Sequence, residues 1–366
     1  MPIKRDNIHC NLREVDRYDK HFNFLVSARE WGKSTAMRTK IYKTAIHKHQ
    51  PAIVLRRMSV DITEAYVDSI EETINQFLPK SKWVTITYKK GSIKDGTCDV
   101  YMDKACTKML CRIIALNVPK SRMKSLILRN PSMIFFDEFI IDTMAGEKYL
   151  PDEINKFREM YNTYNRHKVK YSGKALKCYF CGNPYTIFSP YAMWLNIPLN
   201  QIREGVKIIG DDYYFTCASL SKELREHILR TNPLYQFDDS YTRYAFGGEA
   251  INDQRYTIVT ERPQNYYLKF IFKIQNLYLY IWQCNNCDTY DYNKCKFWCE
   301  TSAKLIQTNK RIFAVDFNNL TEGTQLFEPE MRSILILLRY AIGRRDICYK
   351  DVSAGFYVEN IYKVIK

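Results

Sequence analysis

No apolar run in this chain of 366 residues approaches the eighteen or so that a bilayer crossing needs; Ile334 to Leu338 is too short, and Lys269 and Lys273 interrupt the run 266–282. The opening MPIKRDNIHCN carries no apolar core, so no secretory signal is expected. Internal repeats and low-complexity tracts are absent. Acidic residues fall short of basic ones, 40 Asp and Glu against 55 Lys and Arg, leaving a formal charge of +15. That excess favours a polyanionic partner, nucleic acid first and an anionic membrane second, although basic charge also serves plain solubility. Residues 1–57 hold thirteen Lys and Arg against five Asp and Glu, so over half of the excess lies there. Cysteine is not scarce. Twelve of them without a signal argue for reduced thiols in a cytoplasm and against a disulfide framework. The length suits two domains, each with a core of its own.

The stretch FNFLVSAREWGKST, Phe22 to Thr35, organises the rest. It reads as a strand, a tight loop and the start of a helix. Ser27 to Ser34 fits G-x-x-x-x-G-K-[ST], with Ser27 in place of the first glycine. In such a loop, backbone N–H groups and the helix N-terminus cradle phosphate oxygens. Gly32 lets the backbone pass close to the phosphates. Lys33 reaches the β- and γ-phosphates, and Ser34 offers its hydroxyl to Mg²⁺. Ser27, Ala28, Arg29, Glu30, Trp31, Gly32, Lys33, Ser34 and Thr35 together form the expected ATP-binding segment, with Thr35 packed behind the loop. Pro131 to Glu138 is a second element, an apolar strand ending in Asp137-Glu138. An aspartate there suits Mg²⁺, and the glutamate after it can polarise the attacking water. Two surface carboxylates at a strand end are the bland alternative; the pairing with a phosphate loop a hundred residues earlier argues against it.

Taken in order, residues 1–21 are a polar lead-in expected to run past the sheet edge towards the nucleotide base. The helix after the loop carries Arg38, Lys40, Lys43, His47, Lys48 and His49, which reads most simply as a solvated face. Pro51 to Arg57 is an apolar strand ending in two arginines. Residues 61–78 have helical spacing. Trp83 to Tyr88 and Cys98 to Met102 read as a hairpin turning at Asp95-Gly96. Lys120, Arg122, Lys124 and Arg129 form a candidate DNA-facing loop or a solvated face. A helix is expected with Pro151 near its first position and Asp152-Glu153 in its first turn, running to about Tyr164. Arg166, His167, Lys168 and Lys170 then form a basic cluster before the strand Leu176 to Cys181, which ends in Gly182-Asn183-Pro184. Asn183 can sense the γ-phosphate there, or simply begin a turn before proline. Strands interleaved with helices, with the chemistry at strand C-terminal ends, define an open α/β sheet. Ser221 to Arg230 is a short helix within a stretch, 219–252, read as a linking subdomain. Beyond it, Tyr256 to Val259, Tyr267 to Ile274 and Leu277 to Gln283 read as strands, the last two joined at Gln275-Asn276. Glu328 to Ile342 reads as a helix, completing a second, smaller α/β domain. The expected organisation is 1–218, 219–252 and 253–366.

The pieces NFLVSAREWGKSTAM, the LRR strand end, IFFDEFI, YLPDE, NRHK, GNP, SPYAMWLNIP and GDDYYF resemble the DNA-packaging ATPases, or terminase large subunits, of tailed bacteriophages. The resemblance is strongest to those of small short-tailed phages with protein-capped linear genomes. Its most specific piece is Arg29, four residues before Lys33, where packaging motors place an arginine. The resemblance implies a P-loop ATPase domain of the ASCE type followed by an RNase H-like domain. It implies Arg29 as a cis arginine near the γ-phosphate, Asp137 on Mg²⁺ and Glu138 on the nucleophilic water. Asn183 matches the coupling motif, and Arg166 the arginine that reaches a neighbouring subunit's nucleotide, with Lys168 the residue most easily confused with it. The implied function is ATP-driven translocation of double-stranded DNA through a portal into a procapsid. The implied partners are that portal vertex, a homo-oligomeric ring of five and, optionally, a structural RNA, with no membrane involved. The implied setting is the host cytoplasm, transiently at the portal and not in the mature virion. A terminase with an active metal-dependent nuclease is the alternative.

That alternative meets an absence. The first strand of a nuclease of this type presents an aspartate for a two-metal site, whereas Tyr267 to Ile274 holds Lys269 and Lys273 and no acid. Asp316 and Glu322 lie later, but they form no convincing carboxylate trio with the other acids, so a vestigial, non-cutting domain is expected. Cys284, Cys287, Cys295 and Cys299 have spacing that suits zinc, but Cys284-Asn285-Asn286-Cys287 also reads as a hairpin turn, and structural zinc is not expected. Cys178 and Cys181 on an apolar strand read as core.

Overall fold

The computed structural model describes the chain apart from residues 1–8, 91–95, 120, 122–127, 143–146, 187–188, 198–201, 234–255, 275–276, 286–295, 315–319, 328–331 and 365–366. It forms two compact units, Met1–Asn252 and Asp253–Lys366. No helix among the described residues is long and apolar enough to cross a membrane.

The first unit is built on a nine-stranded sheet. Its strands are β1 (Phe22–Ser27), β2 (Ala52–Arg56), β3 (Thr87–Lys90), β4 (Thr97–Tyr101), β5 (Met109–Ala115), β6 (Met133–Asp137), β7 (Lys177–Gly182), β8 (Val206–Ile209) and β9 (Tyr213–Ala218). Their spatial order is β3-β4-β5-β2-β6-β7-β1-β9-β8. The central strands β5, β2, β6, β7, β1 and β9 are parallel. Parallel strands buried on both faces read as unbroken apolar runs, which is why FNFLV, AIVL and MIFF lack alternation. On one face α2 (Lys33–Lys48) and α3 (Glu64–Asn75), which follow the six-residue α1 (Leu12–Arg17), bury Met37, Ile41, Val67 and Ile70 against Leu25, Val54 and Phe135. On the other face α4 (Glu153–Ser172) and α5 (Pro190–Trp194) close over an aromatic layer in which Phe24 stacks on Phe180, and Phe157 meets Tyr191. Last, α6 (Lys222–Thr231), capped by Ser221, buries Leu224 and Ile228 with Leu220 against Ala28 of the phosphate loop. The start of the expected linker is thus part of this unit's core.

Several expectations are corrected here. The hairpin is present, Thr87 pairing with Tyr101, but 83–86 is not strand. Of its turn, Gly96 has φ +64°, and Asp95 lies outside the described residues. Helix α4 does not end near Tyr164 but runs to Ser172, closed by Gly173 at φ +65°. Nothing in 165–170 breaks a helix, so the basic cluster rides on it. At its start Asp152 has φ +56°, which no helical turn accepts, so Pro151 and Asp152 lie outside and Glu153 begins the helix. The basic face of α2 is also not simply solvated: Lys40 pairs with Asp16, and Arg38 donates to Ser69 O at 3.1 Å and Thr73 Oγ1 at 3.0 Å. Arg129 is exposed, and Lys120, Arg122 and Lys124 lie outside the described residues.

The second unit has a six-stranded sheet of β10 (Tyr266–Ile274), β11 (Leu277–Cys284), β12 (Phe297–Ser302), β13 (Ile312–Ala314), β14 (Thr324–Leu326) and β15 (Ile347–Tyr349). The order is β14-β13-β10-β11-β12-β15. β10, β11 and β12 form an antiparallel meander, while β13 lies parallel on the other side of β10 and carries β14. This is the strand arrangement expected of an RNase H-like domain. Two helices, α7 (Arg332–Arg344) and α8 (Val352–Val364), complete it. The connection 303–311 between β12 and β13 is not helical. Tyr256 to Val259 is not a strand: only Ile258 bridges, to Tyr349, and the segment instead caps Trp298, whose indole N–H donates to Val259 O at 2.8 Å. The turn at Gln275-Asn276, the residues Asp316, Cys287 and Cys295 and the start of the expected helix at 328 lie outside the described residues.

Nine described cysteines are free, but Cys284 is disulfide-bonded, against the expectation of reduced thiols throughout. It stands at the half-exposed end of β11. Cys299 pairs across the ladder with Ile281, three residues from Cys284. An odd separation puts Cys284 and Cys299 on opposite faces of the sheet, so these two cannot share one zinc ion.

Candidate active site

The C-terminal ends of β1, β2, β6 and β7 converge on a cleft of about 290 Å³ lined by Lys33, Ser34, Arg38, Arg56, Tyr66, Asp137, Glu138, Cys181, Gly182 and Asn183. Parallel strands bring residues far apart in sequence to one edge, which is where open α/β sheets carry their ligands.

The loop 27–32 climbs from β1 into α2. Glu30 (φ +68°) and Gly32 (φ +78°) take left-handed conformations that reverse the chain, and Gly32 caps α2. The first N–H groups of α2 have no partner within the helix and carry its positive dipole end. Lys33 is buried. Its ammonium donates to Ser27 O (3.1 Å), Ser27 Oγ (2.8 Å), Ala28 O (3.1 Å) and Asn183 Oδ1 (3.2 Å). Burial pulls its pKa down to about 8. Ser27, the departure from glycine, is therefore not idle: its hydroxyl accepts from Lys33 and donates to Ala28 O at 2.8 Å. Arg29 donates to the Tyr185 hydroxyl at 3.0 Å, and Trp31 packs with Tyr185 against α6. Trp31 O accepts from Cys10 N at 2.9 Å, so the lead-in does lie against the loop. Thr35 O accepts from Thr39 Oγ1 at 2.9 Å.

Ser34 Oγ donates to Asp137 Oδ1 at 2.9 Å. This hydroxyl and this carboxylate are the hard oxygen donors that Mg²⁺ takes together with phosphate and water, so the residues present fit that ion. Burial raises the pKa of Asp137, and the neighbouring Glu138 adds to the effect. Glu138 adopts φ +59° and is largely exposed, with its carboxylate at 3.0 Å from Arg56 Nη2. Arg56 also stands 3.9 Å from Asp137 and lies over the Tyr66 ring at 4.7 Å. Gly182 stands in a tight place: a Cβ there would meet Phe139 at 3.0 Å and Ile140 at 3.1 Å, so those side chains would have to shift.

The structure thus gathers Ser27, Lys33, Ser34, Asp137, Glu138 and Asn183, with Arg29 beside them. It does not bring Arg166 to them. Arg166 is exposed on α4, with Nε donating to Asn162 O at 3.3 Å, thirteen residues or about 20 Å along the helix from Glu153. Lys168 is buried and donates to Asn130 Oδ1 at 3.0 Å, which occupies it structurally. Sequence pattern assigned no site role to Arg38, Arg56, Tyr66 or Tyr185. The strand-end arginines were the one available signal, and their role needs β2 to lie beside β6.

The profile of the family described as Podovirus DNA encapsidation protein (Gp16) matches residues 5–333. The DNA packaging protein of Bacillus phage phi29 is 27% identical over 191 residues, covering 52% of this chain and 51% of that protein. The DNA packaging protein of Bacillus phage PZA matches to the same extent. The chain therefore spans about half the length of the curated relatives it matches. A solved structure described as the bacteriophage Phi-29 viral genome packaging motor assembly covers 98% of this chain and 100% of its own, with a TM-score of 0.63 at 19% identity. That likeness shows a shared fold through both units.

Proposed function

As a member of the podovirus DNA encapsidation protein family, the chain is, we propose, an ATP-driven translocase that packages double-stranded DNA into a procapsid through its portal. The observation that carries this reading is the convergence of Lys33, Ser34, Asp137 and Glu138 on one cleft.

Each residue has a task that its position supports. Loop amides and Lys33 hold the phosphates. Ser34 and Asp137 would hold Mg²⁺, which offsets the charge that develops on the transferred phosphoryl group. Glu138 accepts the proton of the attacking water; its exposure leaves room for that water, and its contact with Arg56 fixes the carboxylate when it is not so engaged. Arg29 supplies positive charge in cis, and Asn183, bonded to Lys33, couples the phosphate end to β7. Arg166 faces solvent on the far part of α4, so it serves a neighbouring subunit and not its own site. Such a finger raises phosphoryl-transfer rates by factors on the order of 10³–10⁵, which ties firing to ring contact. A ring of five belongs to this reading, and a structural RNA is optional in it. So do the division into ATPase domain, linker at 219–252 and RNase H-like domain, and action at the procapsid in a host cytoplasm. The second unit makes contacts and does not cut, since β10 offers Lys269 and Lys273 where a metal-binding acid is needed.

Complementation tests the reading. Glu138→Gln and Arg166→Ala should each abolish DNA-stimulated hydrolysis, and an equimolar mixture should regain part of it. The mixture recovers because some interfaces join an intact Glu138 to a neighbour's intact Arg166. Full activity in Arg166→Ala alone would remove that residue from the mechanism.

A further inference from the structure

Arg57 has no place in the phosphate cradle or the carboxylate pair, yet it is buried directly beneath them. Its Nε donates to both carboxylate oxygens of Glu153, at 3.2 and 3.1 Å. Its Nη1 donates to Glu138 O at 3.1 Å and its Nη2 to Phe139 O at 2.7 Å. The guanidinium lies over the rings of Phe136 and Tyr149, at 5.5 and 5.1 Å. Glu153 is held in turn by the Tyr191 hydroxyl at 2.9 Å and by Leu150 N at 2.8 Å.

A buried ion pair is poor value as a stabilising device, because apolar residues of like volume serve a core as well or better. This one does something an apolar side chain could not. Glu138 sits at φ +59°, a conformation that a residue with a Cβ keeps only when its surroundings enforce it. The two peptide carbonyls that follow this turn are the ones Arg57 grips. The N–H of Phe139 donates to Cys181 O at 3.1 Å, so the same turn is also tied to β7. Adjacent arginines, Arg56 at the end of β2 and Arg57 just beyond it, therefore divide the residue between them: Arg56 meets the Glu138 carboxylate, and Arg57 holds its backbone.

We propose that Arg57, clamped by Glu153, is a positioning residue for Glu138, fixing the left-handed turn that aims the carboxylate into the cleft. The proposal rests on Glu138 being the group that activates water. It predicts that the chemical step suffers and nucleotide binding does not, because no phosphate-binding group touches Arg57.

The test uses full-length Arg57→Met, Arg57→Lys and Glu153→Gln, measuring kcat, the Kd of a fluorescent ATP analogue, and thermal melting. Arg57→Met should lose on the order of 10²-fold in kcat, the scale of an ångström misplacement, while Kd stays within about threefold. Arg57→Lys keeps the charge without the fork and should fold and still lose kcat. Mixed with Arg166→Ala, Arg57→Met should regain activity, since it still offers an intact Arg166; mixed with Glu138→Gln it should not, since both lack a competent glutamate. Three results would overturn the proposal: a wild-type kcat in a folded Arg57→Lys, a Kd that weakens in step with kcat, or rescue by Glu138→Gln. Failure of the control mixture of Glu138→Gln with Arg166→Ala would count against the neighbour-reaching arginine alone, and the split between kcat and Kd would still decide the role of Arg57.

Discussion

Lys33 shows how much a single residue's setting adds to its identity. The sequence motif marks it as a phosphate ligand, and burial lowers its pKa to about 8. A triphosphate beside it adds negative charge and pushes that pKa back up. Nucleotide binding should therefore take up a proton on this amine near and above pH 8. ATP affinity should then weaken as pH rises above 8, approaching about tenfold per pH unit. Calorimetry in buffers of differing ionisation enthalpy should show this uptake in the wild type and not in Lys33→Ala. At this scale the sequence was legible wherever roles attach to short motifs: Lys33, Ser34, Asp137 and Glu138 needed only spacing. Arg56, 82 positions from its partner Glu138, did not follow from any local pattern. Nor did the use of the Ser27 hydroxyl as a partner for Lys33.

At the scale of elements, the site depends on β6 and β7 ending side by side. Asp137 pairs with Cys181 in that ladder, and Gly182 leaves room for Phe139 and Ile140. Gly182→Ala should cost about 1–3 kcal/mol in stability, as overpacking does, and lower hydrolysis by displacing the turn at Glu138. Chemical denaturation and a rate assay on the same sample check both. A variant with wild-type stability and rate would mean that the side chains of Phe139 and Ile140 give way freely. Elements with strong internal signals were readable: β1, β2, β6 and β7 from their apolar runs, and α3 from its spacing. The length of α4 was not. Its basic last turns look like a loop in sequence, because solvated helix residues carry no apolar period. Tyr256 to Val259 had strand composition, but only Ile258 finds a neighbouring strand edge.

For the whole molecule, the order β5-β2-β6-β7-β1 makes an open parallel α/β unit, and the meander of β10, β11 and β12 founds a second, smaller one. Fold class was legible because an alternation of strands and helices permits few topologies. The disulfide of Cys284 was not, since composition cannot say which thiols meet. Because β10 carries lysines in place of an acid, plasmid DNA incubated with the protein and Mn²⁺ should remain intact on a gel. Cleavage abolished by a carboxylate change within 253–366 would contradict that. The central claim, that hydrolysis in the first unit moves duplex DNA, is tested most directly by packaging itself. Empty portal-bearing shells, duplex DNA, ATP and the protein would be mixed and then treated with nuclease. The account predicts ATP-dependent protection of DNA with the wild type and none with Glu138→Gln. ATP hydrolysis by the wild type without any protected DNA, or protection that survives Glu138→Gln, would contradict it.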